Sequence, residues 1–156
     1  MTHPSTTYAR RPDEAEAEAP GEQAASYVSA PETRALLRSS LAARNARLEA
    51  DDMVNTDQAA ELARTTRVTI NAWIAKGRAI GLPRTRRGFR LPVWQFEPTV
   101  WDMVPKLSKA LGTIDGWAML AFLETPHAGL GGAPPRQALE QGQANRVLAL
   151  AGAEGL

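Results

Sequence analysis

The 156 residues include no cysteine, which removes disulfide scaffolds, thiolate zinc sites and cysteine nucleophiles together. Histidine is nearly as scarce, and His3 and His127 are too few for most histidine-built metal centres. No apolar run approaches the roughly 20 residues that span a bilayer. The N-terminal stretch is polar and carries Asp13, Glu14, Glu16 and Glu18, which fits neither a secretory signal nor a transit peptide. No serine-histidine-aspartate constellation is legible, and Asp115 and Glu124 make no recognisable acid–base pair. The length suits one ordinary domain, or two very small ones with a tail. The expectation is a soluble cytoplasmic protein that is not an enzyme, uses no cofactor and touches no membrane.

A further absence is local. Acidic residues are missing from Arg64 to Arg90, a stretch with eight basic ones. The whole chain is nearly neutral, with 18 Lys+Arg against 17 Asp+Glu, so its charge is unevenly spread. Residues 51–110 hold ten basic and six acidic side chains, a net of +4. Residues 1–50 net −1 and residues 111–156 net −2. Such asymmetry points to a basic binding face, against the plainer account of chance clustering on a solvated surface.

What is present divides into four stretches. Residues 1–30 read as a disordered tail, because Pro4, Pro12 and Pro20 punctuate a stretch with little apolar surface to bury. Residues 31–50 read as an amphipathic helix, with Pro31 in its first turn and Leu36, Leu37, Leu41 and Leu48 against Arg34, Arg38, Arg44 and Arg47. Residues 51–98 carry the clearest pattern. Thr56 is the expected N-cap of a first helix, with Asp57 at its positive end. After Arg64-Thr65-Thr66, a second helix runs from Arg67 to about Lys76 and closes at Gly77. Val68 with Ala72, and Ile70 with Trp73 and Ile74, have the spacing of a buried helical face. Phe89, Leu91 and Val93 then alternate with Arg90 and Pro92 as a strand, after a turn at Gly88. Trp94 and Phe96 are expected in the core. Residues 99–156 are again helical, interrupted at Pro105, at Thr125-Pro126 and at Gly142.

Two short helices around a tight turn, followed by an arginine-tipped hairpin, describe a winged helix-turn-helix. The expected DNA-binding residues are Thr66, Arg67, Thr69 and Asn71 at base edges, with Lys76, Arg84, Arg86 and Arg87 on the backbone or in a minor groove. Arg64 and Arg78 are further phosphate anchors. A helical hairpin that merely resembles a reader is the plain alternative. The GLGG at Gly129 to Gly132 lacks the preceding strand and following lysine of a phosphate loop, so a connection between helices accounts for it better. The fold class is thus mainly α: a disordered tail, a winged helix-turn-helix with a small β-hairpin, and a helical C-terminal domain.

The run WAMLAFLETPHAGLGGAPPRQALEQGQANRVLALA at residues 117–151 resembles the C-terminal toxin-binding domain of the Xre/MbcA/ParS group of bacterial antitoxins. Trp117, Leu120, Pro126, Leu130-Gly131-Gly132, Pro134 or Pro135, Leu139, Gly142, Val147 and Leu150 carry the likeness, with His127 where many members have Asn. Residues 56–96 are similar to the MerR- or excisionase-like reader of some relatives. The resemblance implies an antitoxin that covers the active site of a RES-domain toxin consuming NAD, in a complex that represses its own promoter. A homodimer or larger toxin–antitoxin assembly on operator DNA is expected because one small reader seldom gives enough affinity. Its toxin-facing residues are then Leu130, Gly131, Gly132, Pro134, Arg136, Arg146, Val147 and Leu150. A stand-alone repressor, an excisionase-like accessory factor and a pure protein-binding inhibitor remain alternatives.

Overall fold

The computed structural model describes residues 29–84, 86 and 88–155, so the expected tail lies almost wholly outside them, as does Arg87. The described chain is mainly helical with one small antiparallel sheet, and no helix in it is long and apolar enough to cross a membrane. The described residues fall into two units that divide between Arg44 and Asn45. Helix α1 (Ala30–Leu48) begins in the first. Ser29 opens it with a reciprocal cap: its Oγ accepts from the Glu32 N–H, and the Glu32 carboxylate accepts from the Ser29 N–H at 2.8 Å. Leu36, Leu37 and Leu41 on this helix are all exposed.

In the second unit, three strands form the sheet: β1 (Met53–Asn55), β2 (Leu82–Arg84) and β3 (Gly88–Pro92). Their order is β1-β3-β2, both pairs antiparallel, with Asn55 and Leu82 flanking Arg90. The hairpin matches the alternation read from the sequence, but β3 stops at Pro92, and Val93 begins a 3-10 turn. Strand β1 was not anticipated, since three residues are too few to show a period.

Helices α2 (Thr56–Leu62) and α3 (Arg67–Ala75) pack between the strands in sequence. The cap of α2 is Asn55, not Thr56: Asn55 Oδ1 accepts from the Gln58 N–H at 2.8 Å, and Gln58 Oε1 accepts from the Asn55 N–H at 2.9 Å. Thr56 is instead a buried first-turn residue. Helices α4 (Pro98–Trp101) and α5 (Val104–Leu111) break at Asp102-Met103, ahead of the expected point. Pro105 falls in the first turn of α5, where its missing N–H has no intrahelical partner to lose. There follow α6 (Gly116–Glu124), a 3-10 turn (Ala128–Leu130), α7 (Pro135–Glu140) and α8 (Ala144–Glu154).

A small core under α2 and α3 holds Ala59, Ala60, Ile70, Ile74, Ala79 and Leu91. The main core joins Leu48, Met53, Ile80, Leu82 and Trp94 to Val104, Leu107, Leu123, Leu139 and Val147. Apolar packing therefore runs straight across the boundary expected at residues 98 and 99. Polar contacts cross it too. Arg47 donates to both carboxylate oxygens of Asp52 (2.7 and 2.9 Å) and of Glu124 (3.1 and 2.6 Å). These bonds raise the Arg47 pKa, and the same guanidinium holds the Asp52 carboxyl below its ordinary range. Trp94 Nε1 donates to Asp52 as well, at 3.0 Å.

Candidate nucleic-acid interface

Helix α3 is set by its ends and its inward face. Thr66 Oγ1 accepts from the Thr69 N–H at 3.2 Å, and its hydroxyl donates to Thr69 Oγ1 at 3.1 Å. Gly77, at a φ of +74°, lets the chain turn away after Lys76. Ile70 and Ile74 anchor the inner side in the small core. Arg67, Val68, Asn71 and Ala72 are then left outward.

The outward residues meet the hairpin in one groove of about 540 Å³. Its walls are Asn55, Thr56 and Asp57 at the start of α2, Arg67 and Asn71 on α3, and Arg84, Arg86, Gly88 and Arg90 on the hairpin. Four arginines thus face one carboxylate. That carboxylate, Asp57, accepts from Arg67 Nε at 2.9 Å and Nη2 at 2.7 Å, and raises the Arg67 pKa through those bonds. Both partners are well exposed, so the pair orients Arg67 more than it stabilises the fold. Arg84 pairs with Glu49 at 2.6 Å, and Arg90 Nε donates to the Leu48 carbonyl at 2.9 Å. Arg86 stands exposed at the hairpin tip in a left-handed conformation, φ +66°.

Of the expected DNA-facing set, the structure brings Arg67, Asn71, Arg84 and Arg86 together. Thr66 and Thr69 serve the helix cap. Lys76 lies in a separate concavity with Lys109 and Ile114, outside the groove. Arg78 is not a free phosphate anchor: its guanidinium sits 4.1 Å over the Trp101 ring and donates to the Trp101 carbonyl at 2.9 Å. Arg90 was overlooked as a groove residue. Its signal was the strand alternation itself, which sends it to the face opposite Leu91.

Two of the eight expected toxin-facing residues are buried. Leu130 and Val147 are in the main core, Val147 fully, and a side chain so enclosed meets no partner. Val147 belongs to the apolar face of α8, and burial is what that spacing achieves; Leu130 closes the 3-10 turn and is buried there. Pro134 caps α7 and is half-buried, as is Leu150. Arg136 lies 4.4 Å over the Trp94 ring and donates to Glu140. Gly131 and Gly132 are exposed with φ of +70° and +88°, and Arg146 donates to the Gly129 carbonyl at 3.0 Å. His127 caps this turn, its Nδ1 accepting from the Gly129 N–H at 2.9 Å. A concavity of about 430 Å³ between α5, α6 and the end of α8 is lined by His127 and Glu154, but by none of the eight.

Compared with known proteins, this chain matches no family model, no curated protein and no solved structure.

Proposed function

We propose that the chain binds duplex DNA as a winged helix-turn-helix, with α2 and α3 as the helix pair and β2–β3 as the wing. The observation that carries this is the groove in which Arg67, Arg84, Arg86 and Arg90 flank the outward face of α3. Base edges in a major groove are reached by a helix bordered by cations, and the exposed Arg67 and Asn71 of α3 beside Arg84, Arg86 and Arg90 support that reading. One such reader offers little contact area, so operator binding as a homodimer on half-sites about 10 bp apart, or a multiple of it, follows.

The test is duplex affinity of the full chain as a function of salt. Neutralising about three phosphates, by Arg84, Arg86 and Arg90, makes log K fall with log salt at a slope of about −3 per reader. Affinity that ignores salt, or no binding to any duplex, overturns the proposal.

We further propose that this reader belongs to a type II antitoxin that silences its own promoter and covers a RES-domain toxin. Support for the toxin comes from the likeness at residues 117–151, together with the exposed Gly131-Gly132 turn that His127 and Arg146 brace. Its surface is accordingly Gly131, Gly132 and Arg146, with the partly exposed Pro134, Arg136 and Leu150. Co-expression with the product of the adjacent reading frame tests it, reading growth and cellular NAD. Rescue by the full chain is expected; a harmless neighbour leaves a stand-alone repressor or excisionase-like factor.

A further inference from the structure

Among the described large apolar side chains, Val68 is the most exposed, and the fold does not account for its position. It is 77% exposed, against 60% for Leu36 and Leu41 and 52% for Leu62. Helical spacing with Ala72 suggested a buried face, but Ile70 and Ile74 fill the core side, and at 3.6 residues per turn that sends Val68 outward. A solvated first-turn position gains nothing from a β-branched apolar residue, which is a poorer helix former than most polar alternatives. Asn71 and Ala72, three and four residues on, share its outward side.

The surroundings say what covers it. Arg67 precedes Val68 and, with Asn71, forms one wall of the arginine groove, whose single lining carboxylate is already engaged by Arg67. No acidic residue occurs from position 64 to 90. Two carboxylates, Asp57 and Glu49, each pair with one groove arginine. That leaves Arg86 and Arg90, which have no acidic partner in the groove among the described residues, to draw a polyanion to this face, and Val68 meets it as an apolar contact at the head of the helix. The apolar feature that duplex DNA offers there is the 5-methyl group of thymine.

We propose that Val68 is a specificity-determining residue that packs on a thymine methyl in the major groove. The inference rests on the DNA reading above and narrows it. Cytosine and uracil lack the methyl, and the major groove of an RNA helix is too deep and narrow for such a contact. Val68 thus selects DNA over RNA, and a T·A pair at one position per reader.

The experiment starts from a duplex selected by the full chain out of a random library. Each thymine is replaced singly by deoxyuridine, which removes the methyl and nothing else. Wild-type affinity should fall about fourfold at one thymine per half-site, the effect of exposing one methyl. Val68→Ala should bind the thymine and deoxyuridine duplexes equally, with an unchanged circular dichroism spectrum. Val68→Thr, which retains one of the two γ-methyls that Val68→Ala removes, should keep part of the difference. Indifference of the wild type to every replacement, or a loss that persists in Val68→Ala, overturns the methyl contact and leaves DNA binding standing. Failure to select any duplex overturns both.

Discussion

Arg67 gives its Nε and Nη2 hydrogens to Asp57, and this choice of edge matters. The guanidinium keeps its Nη1 hydrogens and the outer one on Nη2, a pair able to meet guanine O6 and N7 together. If Arg67 reads a base as proposed, Asp57 is its positioning residue. On the proposed DNA reading, Arg67→Ala should lower discrimination at one base pair by roughly tenfold while leaving weak, unspecific binding. Arg86→Ala, at the exposed hairpin tip, should weaken all duplexes alike and reduce the salt slope by about 0.9. Competition titrations with matched and mismatched duplexes separate the two, and equal losses of discrimination would sink this division of labour. A second residue-scale prediction concerns acid. The Asp52 carboxyl is held below its ordinary value of 3.8, chiefly by its bonds to Arg47. A carboxyl depressed in the folded state stabilises fully above its unfolded pKa and loses that contribution as pH falls through the folded one. Urea midpoints should thus drop with acidification from 3.8 downward. Asp52→Asn should be less stable at neutral pH and show a shallower decline; an unaltered acid profile would assign the sensitivity elsewhere.

At the scale of elements, Gln95 does the work of a strand. It is fully buried, and its amide both accepts from the Ile80 N–H and donates to the Ile80 carbonyl, each at 2.8 Å. Gln95→Leu keeps the volume but orphans both backbone groups, so it should cost about 1–3 kcal/mol for each, read as a lower urea midpoint with an unchanged slope. A loss under 1 kcal/mol would mean that water reaches Ile80. Nothing in the sequence marked Gln95, because a buried amide looks like a surface one until its partner, 15 residues away, is known. The elements that were legible share a reason. Helices α3 and α6 each combine local periodicity with a local stop, at Gly77 and at Thr125-Pro126, whereas α8 shows its periodicity but runs through Gly152 to Glu154. Strand β1 depends on Val54 facing Leu91, and the α1 clamp on Arg47 meeting Glu124, both set by distant pairing. The groove was half legible for the same cause. Arg67 and Asn71 follow from one helix, but Arg90 and Asp57 join them only through the sheet and the preceding helix.

For residues 45–156 as a whole, a close backbone approach adds to the shared core and the Arg47–Glu124 bonds in joining residues 51–98 to the C-terminal helices. Gly116, the first residue of α6, lies so close to Gly81, just ahead of β2, that a Cβ on Gly116 would fall against the Gly81 carbonyl. On the other side of that strand entry, Gly81 abuts Ile74, and Ile74 belongs to the small core. Strain introduced at Gly116 should therefore reach both cores. With the main core built from Met53 and Trp94 as well as Leu123 and Val147, the unit should unfold in one transition. Gly116→Ala should destabilise it by about 1–3 kcal/mol, since backbone meeting backbone leaves no flexible side chain to give way. Amide exchange supplies the check. Protection at Ile70 and Leu91 should fall in step with protection at Leu107 and Leu123. Loss confined to Leu107 and Leu123 would mean that residues 99–156 open alone, and that whatever occupies the Gly131-Gly132 turn has no mechanical hold on α3.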